Sequence, residues 1–311
     1  RSGFGYHQPS GAFASLSVMA AGTGSTQSKY VARRETPIFI AENCTQCMEC
    51  ITACPDTAMP NSAQDISTIL TTAIRNYVSN KSMANILIKE VKNLEENCRK
   101  NMNENISRKS KVPFYQILED ELEKLDSIDQ DSRKEFSSII KKLPLAYSNV
   151  NAIYRTPEKK NPGSGGIFSI FISDLCKGCG ECVQVCGEHN ALRMEEETPK
   201  LNADLSTAQL FSRLLPETSQ KYLGNYQEES PQESRESILR NHLMLRHNYE
   251  ALVSGDGACA GCGEKTVLRA AASITEAYMR PIYHAKAKRL NKKAEQLEET
   301  GIKKIKAFEV K

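Results

Sequence analysis

Tryptophan is absent, and 9 phenylalanines and 11 tyrosines hold aromatics to 6% of the 311 residues, which weighs against a base-stacking surface for nucleic acid. Charge of one sign is lacking too. The 41 basic and 38 acidic residues leave a formal charge of +3, with no strong electrostatic bias towards nucleic acid or a membrane surface. No segment reaches the ~18 to 20 apolar residues of a membrane-spanning helix. The stretch from Ala12 to Ala21 could be read as the apolar centre of a secretory signal, but it contains two serines, follows Pro9 and Gly11, and has no charged lead-in beyond Arg1. The expected setting is the cytoplasm, with neither nucleic acid nor membrane as partner.

What the chain does have is cysteine, in a repeated order. Cys44, Cys47, Cys50 and Cys54 form one ladder, followed by Pro55; Cys176, Cys179, Cys182 and Cys186 form a second with the same spacing, followed by Gly187. Three cysteines one short turn apart can wrap three corners of a cubane, while the fourth, at the start of a helix, reaches the other cluster. The expectation is two 4Fe-4S clusters, one on Cys44, Cys47, Cys50 and Cys186, the other on Cys176, Cys179, Cys182 and Cys54. Zinc sites favour separated CxxC pairs or Cys/His mixtures, and disulfides need an oxidising compartment, so both rivals fit poorly. Glycine at 187 in place of proline is expected to leave the second exit looser.

The repeat extends to the flanks, because Ile38-Phe39-Ile40 ahead of the first ladder matches Ile170-Phe171-Ile172 ahead of the second. Each unit reads as strand, cysteine loop, helical turn and return strand, the last near Ala58-Met59 and Ala191–Met194. The predicted fold class is α+β: a pseudo-twofold, bacterial-type two-cluster ferredoxin core with a large helical insertion and flanking helices. Apolar residues at helical spacing from Ile66 to Val78, Ile86 to Leu94, Phe114 to Leu125 and Phe136 to Leu143 predict an inserted helical subdomain that shields or braces. Cys98, among polar neighbours, reads as an unliganded thiol. The segment Asn161–Gly166 reads as a flexible return, and the stretch after Thr198, with Pro199, Pro216 and Pro231, as an irregular linker.

Further on, Cys259 and Cys262 form a CxxC between glycines, which lets backbone fold tightly around a metal or cluster but completes no site alone. A helix is expected from Lys265, and Pro281 is expected to open a second, very basic and solvated one. Gly255-Asp256-Gly257 reads as a glycine turn.

The order of double ladder, linker and Ser254–Glu264 (SGDGACAGCGE) resembles the pyruvate:ferredoxin (flavodoxin) oxidoreductases and their 2-oxoacid:ferredoxin oxidoreductase relatives. The resemblance covers the ladders and roughly residues 247 to 280; Lys265 stands where the family has threonine, and the helical insertion departs from its usual pattern. It implies division into a linker from an upstream domain (1–34), the ferredoxin-type domain (35–62 and 163–198), the insertion (63–162), a second linker (199–245) and a truncated start of a thiamine diphosphate domain (246–311). It further implies that Cys259 and Cys262 give two ligands to a third, proximal 4Fe-4S cluster, and that Glu264 lies near thiamine diphosphate and its magnesium. The function implied is electron transfer in oxidative decarboxylation of a 2-oxoacid, with coenzyme A as co-substrate and ferredoxin or flavodoxin as acceptor. Partners would be the remainder of the oxidoreductase chain or its other subunits, in a homodimer of the whole enzyme. The residues themselves show no general base or nucleophile, so this chain alone is not expected to be catalytically complete. They leave open a polyferredoxin-like carrier subunit without catalysis of its own.

Overall fold

The apolar runs ahead of the two ladders are drawn out into strands. The computed structural model describes residues 33–224, 240–250, 252 and 263–308. In it β1 is Glu35–Phe39 and β3 is Ile167–Ile170, with return strands β2 at Asn61–Gln64 and β4 at Leu192–Glu196. Pairing crosses between the repeats. β1 lies antiparallel to β4, Glu35 opposite Glu196 and Phe39 opposite Leu192, while β2 lies antiparallel to β3, Asn61 opposite Ile170 and Gln64 opposite Ile167. Each half therefore closes its sheet with a strand from the other. The first return strand begins later than the expected Ala58-Met59. Ala58 O and Pro60 O do accept Ser173 N–H at 2.9 Å and Phe171 N–H at 2.7 Å, but Pro60 has no N–H to give, and a regular ladder starts only beyond it.

Between the halves, four helices enclose an apolar core: α2 (Ile66–Tyr77), α3 (Lys81–Ser107), α4 (Phe114–Glu123) and α5 (Gln130–Lys142), numbered after α1 (Glu49–Ala53) of the first ladder. Their starts are fixed by side chains. Asn80 accepts Ser82 N–H at 3.0 Å and Met83 N–H at 3.3 Å, and Asp129 accepts Ser132 N–H at 2.8 Å, satisfying donors that the first turn leaves unpaired. The predicted apolar positions Ile69, Leu70, Ile74, Leu87, Leu94, Phe136 and Ile140 are all buried. Cys98 is buried with them on α3, one turn from Leu94 and Met102.

The return from this core is tied down where flexibility was expected. A π-helical turn at Asn151–Arg155 leads into α6, Thr156–Lys160, whose Glu158 is buried. Glu158 pairs with Arg99 of α3 at 2.7 Å and accepts Gly163 N–H at 3.1 Å and Gly165 N–H at 3.0 Å. A buried carboxylate needs such partners, and meeting that need fixes the glycine-rich loop.

After α7 (Glu181–Cys186) and β4, the stretch read as an irregular linker contains the 16-residue helix α8, Pro199–Leu214. Proline at the first helical position gives up only an N–H that would be unpaired anyway, and Thr198 accepts Leu201 N–H at 3.2 Å. α8 buries Ala208 and Phe211 in the helical core, Phe211 lying 6.1 Å from the Tyr77 ring. Short helices α9, Gln220–Leu223, and α10, Arg246–Glu250, follow. A separate unit begins at Gly263 with α11, Gly263–Phe308. This helix runs on through Pro281, where a new helix was expected to start: proline's fixed φ is helical, and the helix absorbs both the missing N–H and the crowding of the ring against the carbonyl four residues back. No helix among the described residues is long and apolar enough to cross a membrane.

Candidate metal centre

Each ladder bends around its cysteines by two left-handed residues in the same places. Gln46 (φ 62°) and Met48 (φ 63°) alternate with Cys44, Cys47 and Cys50, as Gly178 (φ 70°) and Gly180 (φ 80°) do with Cys176, Cys179 and Cys182. Met48 and Gly180 are then the caps of α1 and α7, which carry Cys50 and Cys54, and Cys182 and Cys186, at or next to their turns. Glycine makes this backbone legible in the second loop; in the first, two bulky residues hold it, and spacing alone conceals the fact.

The fourth cysteines cross over. Cys186 lines one small cavity, about 20 Å³, together with Cys44, Cys47 and Cys50; Phe39, Met48, Ile170, His189 and Leu192 form much of the remaining wall. Cys44 is electrostatically coupled to Cys47 and Cys186, and Cys182 to Cys54, Cys176 and Cys179. Burial, joined by these neighbouring sulfurs, pushes the Cys44 and Cys182 thiols up to about 12, and Cys50 is raised for the same reasons. Backbone donors reach three of the sulfurs: Gln46 N–H points to Cys44 Sγ at 3.4 Å, where it offsets part of the burial, Ala58 N–H to Cys54 Sγ at 3.3 Å, and Ala191 N–H to Cys186 Sγ at 3.3 Å. None of the described cysteines is in a disulfide. Gly187, with φ 48°, opens a 3-10 turn at Gly187–His189; proline could not adopt this angle, so the second exit is a defined turn rather than a loosened one.

Two curated proteins resemble the chain. The pyruvate-flavodoxin oxidoreductase of Trichormus variabilis is 25% identical over 135 residues, 40% of this chain and 10% of that protein. The putative pyruvate-flavodoxin oxidoreductase of Synechocystis sp. is 29% identical over 127 residues, 40% of this chain and 9% of that protein. The chain thus spans about a tenth of the length of these relatives, which are oxidoreductases. No protein-family model matches it, and no solved structure does.

Among the described residues no group of three or more His, Cys, Asp or Glu closes around a single metal ion. A cubane differs in what it asks for: each thiolate meets its own iron corner, so the four sulfurs stand apart around a body rather than a point. Four thiols per set, brought from both repeats, suit that donor chemistry. Cys98 is a lone thiol in the helical core, raised to about 12 by burial and by Glu121 and Glu95. Cys259 and Cys262 lie outside the described residues, as does the side chain of Glu264.

Five contacts around the sites have no signature in the sequence, since they join segments far apart in the chain. Arg240 Nη1 donates to Cys47 O at 2.7 Å, and Gln46 Nε2 to Asn241 Oδ1 at 3.0 Å. Tyr249 of α10 accepts Met59 N–H at 3.0 Å. The residues from Arg240 to Tyr249 thus clasp the first cysteine loop, where part of a surface linker was expected. On the second loop, Arg33 Nη1 donates to Ser173 O at 3.2 Å and Cys176 O at 3.4 Å.

Proposed function

We propose that the chain is the electron-transfer segment of a thiamine-dependent 2-oxoacid oxidoreductase, with pyruvate as substrate of the whole enzyme and ferredoxin or flavodoxin as acceptor. The observation that supports this most is Cys186 sharing one cavity with Cys44, Cys47 and Cys50, the exchange required of a ferredoxin-type pair of 4Fe-4S clusters. The partial likeness to two pyruvate-flavodoxin oxidoreductases points the same way. Each cluster, when bound, supplies one-electron storage and release.

The chain's own residues do the rest. Cys44, Cys47, Cys50 and Cys186 hold one cluster; Cys176, Cys179, Cys182 and Cys54 hold the other. Met48, Ile51 and Ile170 keep water from the first site, and the N–H groups of Gln46, Ala58 and Ala191 stabilise thiolate charge. In the same reading Cys259 and Cys262 give two ligands to a third cluster and Glu264 lies near thiamine diphosphate, the organic chemistry and coenzyme A belonging to the remainder of the enzyme.

Anaerobic iron and sulfide analysis with EPR of the dithionite-reduced chain tests this. Iron near eight atoms per chain, with the broadened signal of two interacting clusters, is expected. Zinc, or no metal after anaerobic reconstitution, would overturn it.

A further inference from the structure

We propose that the buried ion pair Arg33–Glu197 sets the reduction potential of the cluster held by Cys54, Cys176, Cys179 and Cys182. The inference rests on the iron-sulfur reading above. Arg33 stands just ahead of β1, in the first repeat, yet its guanidinium serves the second cysteine loop through Ser173 O and Cys176 O. Its side chain is 1% exposed, so solvent screens its charge poorly.

Glu197 answers from behind. Its Oε2 accepts Arg33 Nε at 3.0 Å, its side chain is 14% exposed, and its Oε1 is buried without a hydrogen-bond partner. Glu197 N–H donates to Arg34 O at 2.8 Å, which anchors the carboxylate at the end of the β1–β4 ladder. Gly178 lets the loop close on this pair, for a Cβ there would lie 3.2 Å from Arg33 Cβ.

The first loop is served differently. There Arg240 donates to Cys47 O from an only partly buried position, Lys111 donates to Asn43 Oδ1 at the surface, and the repeat position matching Arg33 is occupied by Gly165. The two sites are therefore unlike in charge although alike in backbone. A cation against a cluster's thiolate loop favours uptake of an electron, and an anion opposes it. Arg33 touches the loop, whereas Glu197 reaches it through Arg33, so the two charges act unequally and with opposite sign.

The test is an EPR-monitored redox titration of the whole chain, anaerobically reconstituted. Arg33→Gln is expected to lower the reduced-to-oxidised ratio of one cluster about tenfold at fixed potential, equivalent to about 59 mV for a one-electron couple. Glu197→Gln should move the same cluster in the opposite direction, Arg33→Lys should move it least, and the other cluster should stay within about twofold. A merely structural pair would instead give shifts of one sign, or none, in both neutral variants, and that result overturns the proposal. If Arg33→Gln fails to hold iron, Glu197→Gln decides alone: an upward shift supports the assignment, an unmoved potential sinks it. A wild-type chain without iron would instead refute the iron-sulfur reading.

Discussion

Replacing Gly178 and Gly180 by alanine, one at a time, separates backbone conformation from space within a single loop. Both glycines are left-handed, at φ 70° and 80°. At Gly180 an added Cβ meets nothing within 4 Å; at Gly178 it would stand 2.4 Å from Glu35 O, a backbone atom of β1 that cannot swing aside. Gly180→Ala should thus cost only the left-handed penalty, about 1–2 kcal/mol. Gly178→Ala adds overpacking of about 1–3 kcal/mol, for a total of roughly 2–5 kcal/mol. Because the strained contact lies at the Glu35 end of β1, the cluster signal of the second loop should fall with it. Urea denaturation of the reconstituted chain, followed by cluster absorbance and by far-ultraviolet circular dichroism, measures both. Equal destabilisation by the two variants, or a larger effect at Gly180, would refute the reasoning.

Cys54→Ser should perturb the cluster of the second ladder and Cys186→Ser that of the first, read as separate EPR signals; purely local effects would sink the exchange. Cys98, raised to about 12, should resist iodoacetamide at pH 8 in the folded chain and react once unfolded, as mass spectrometry of the peptide would show. The same shift has a sign in stability: above pH 9 the unfolded thiol ionises while the folded one stays protonated, so stability should decline from pH 9 towards 12, less so in Cys98→Ala.

The ladders and the helical insertion were legible because each rests on local periodicity: cysteines at fixed steps, and Ile69, Leu87, Phe114 or Phe136 recurring on one helical face. The conformation of the first loop was not, since Gln46 and Met48 carry no mark of the left-handed backbone they adopt. Proline misled twice in one direction. Pro199 was taken as a breaker but starts α8, and Pro281 as a boundary but lies inside α11. At Pro199 the missing N–H falls at the first helical position, where it has no intrahelical partner to lose; at Pro281 the loss is absorbed within a continuous helix. The clasp from Arg240 to Tyr249 and the Arg33 contacts depend on which distant segments meet, which no local pattern encodes.

The crossed pairing of β1 with β4 and β2 with β3 also bears on how the protein is made. Cys176 follows Cys44, and Cys186 follows Cys54, by the same 132 positions. At about 5–20 residues per second, a ribosome needs roughly 7–26 s to travel from one ladder to the other. During that interval the first ladder has emerged without Cys186 and without the strand β4 that pairs with β1, while the helices of the insertion, which rest mostly on near-neighbour contacts, come next off the ribosome. On the iron-sulfur reading, the four thiols of the first ladder must be kept reduced and uncommitted until the second ladder arrives, so cofactor loading would be a late event in biosynthesis, and a message truncated before residue 182 would leave no complete four-cysteine set.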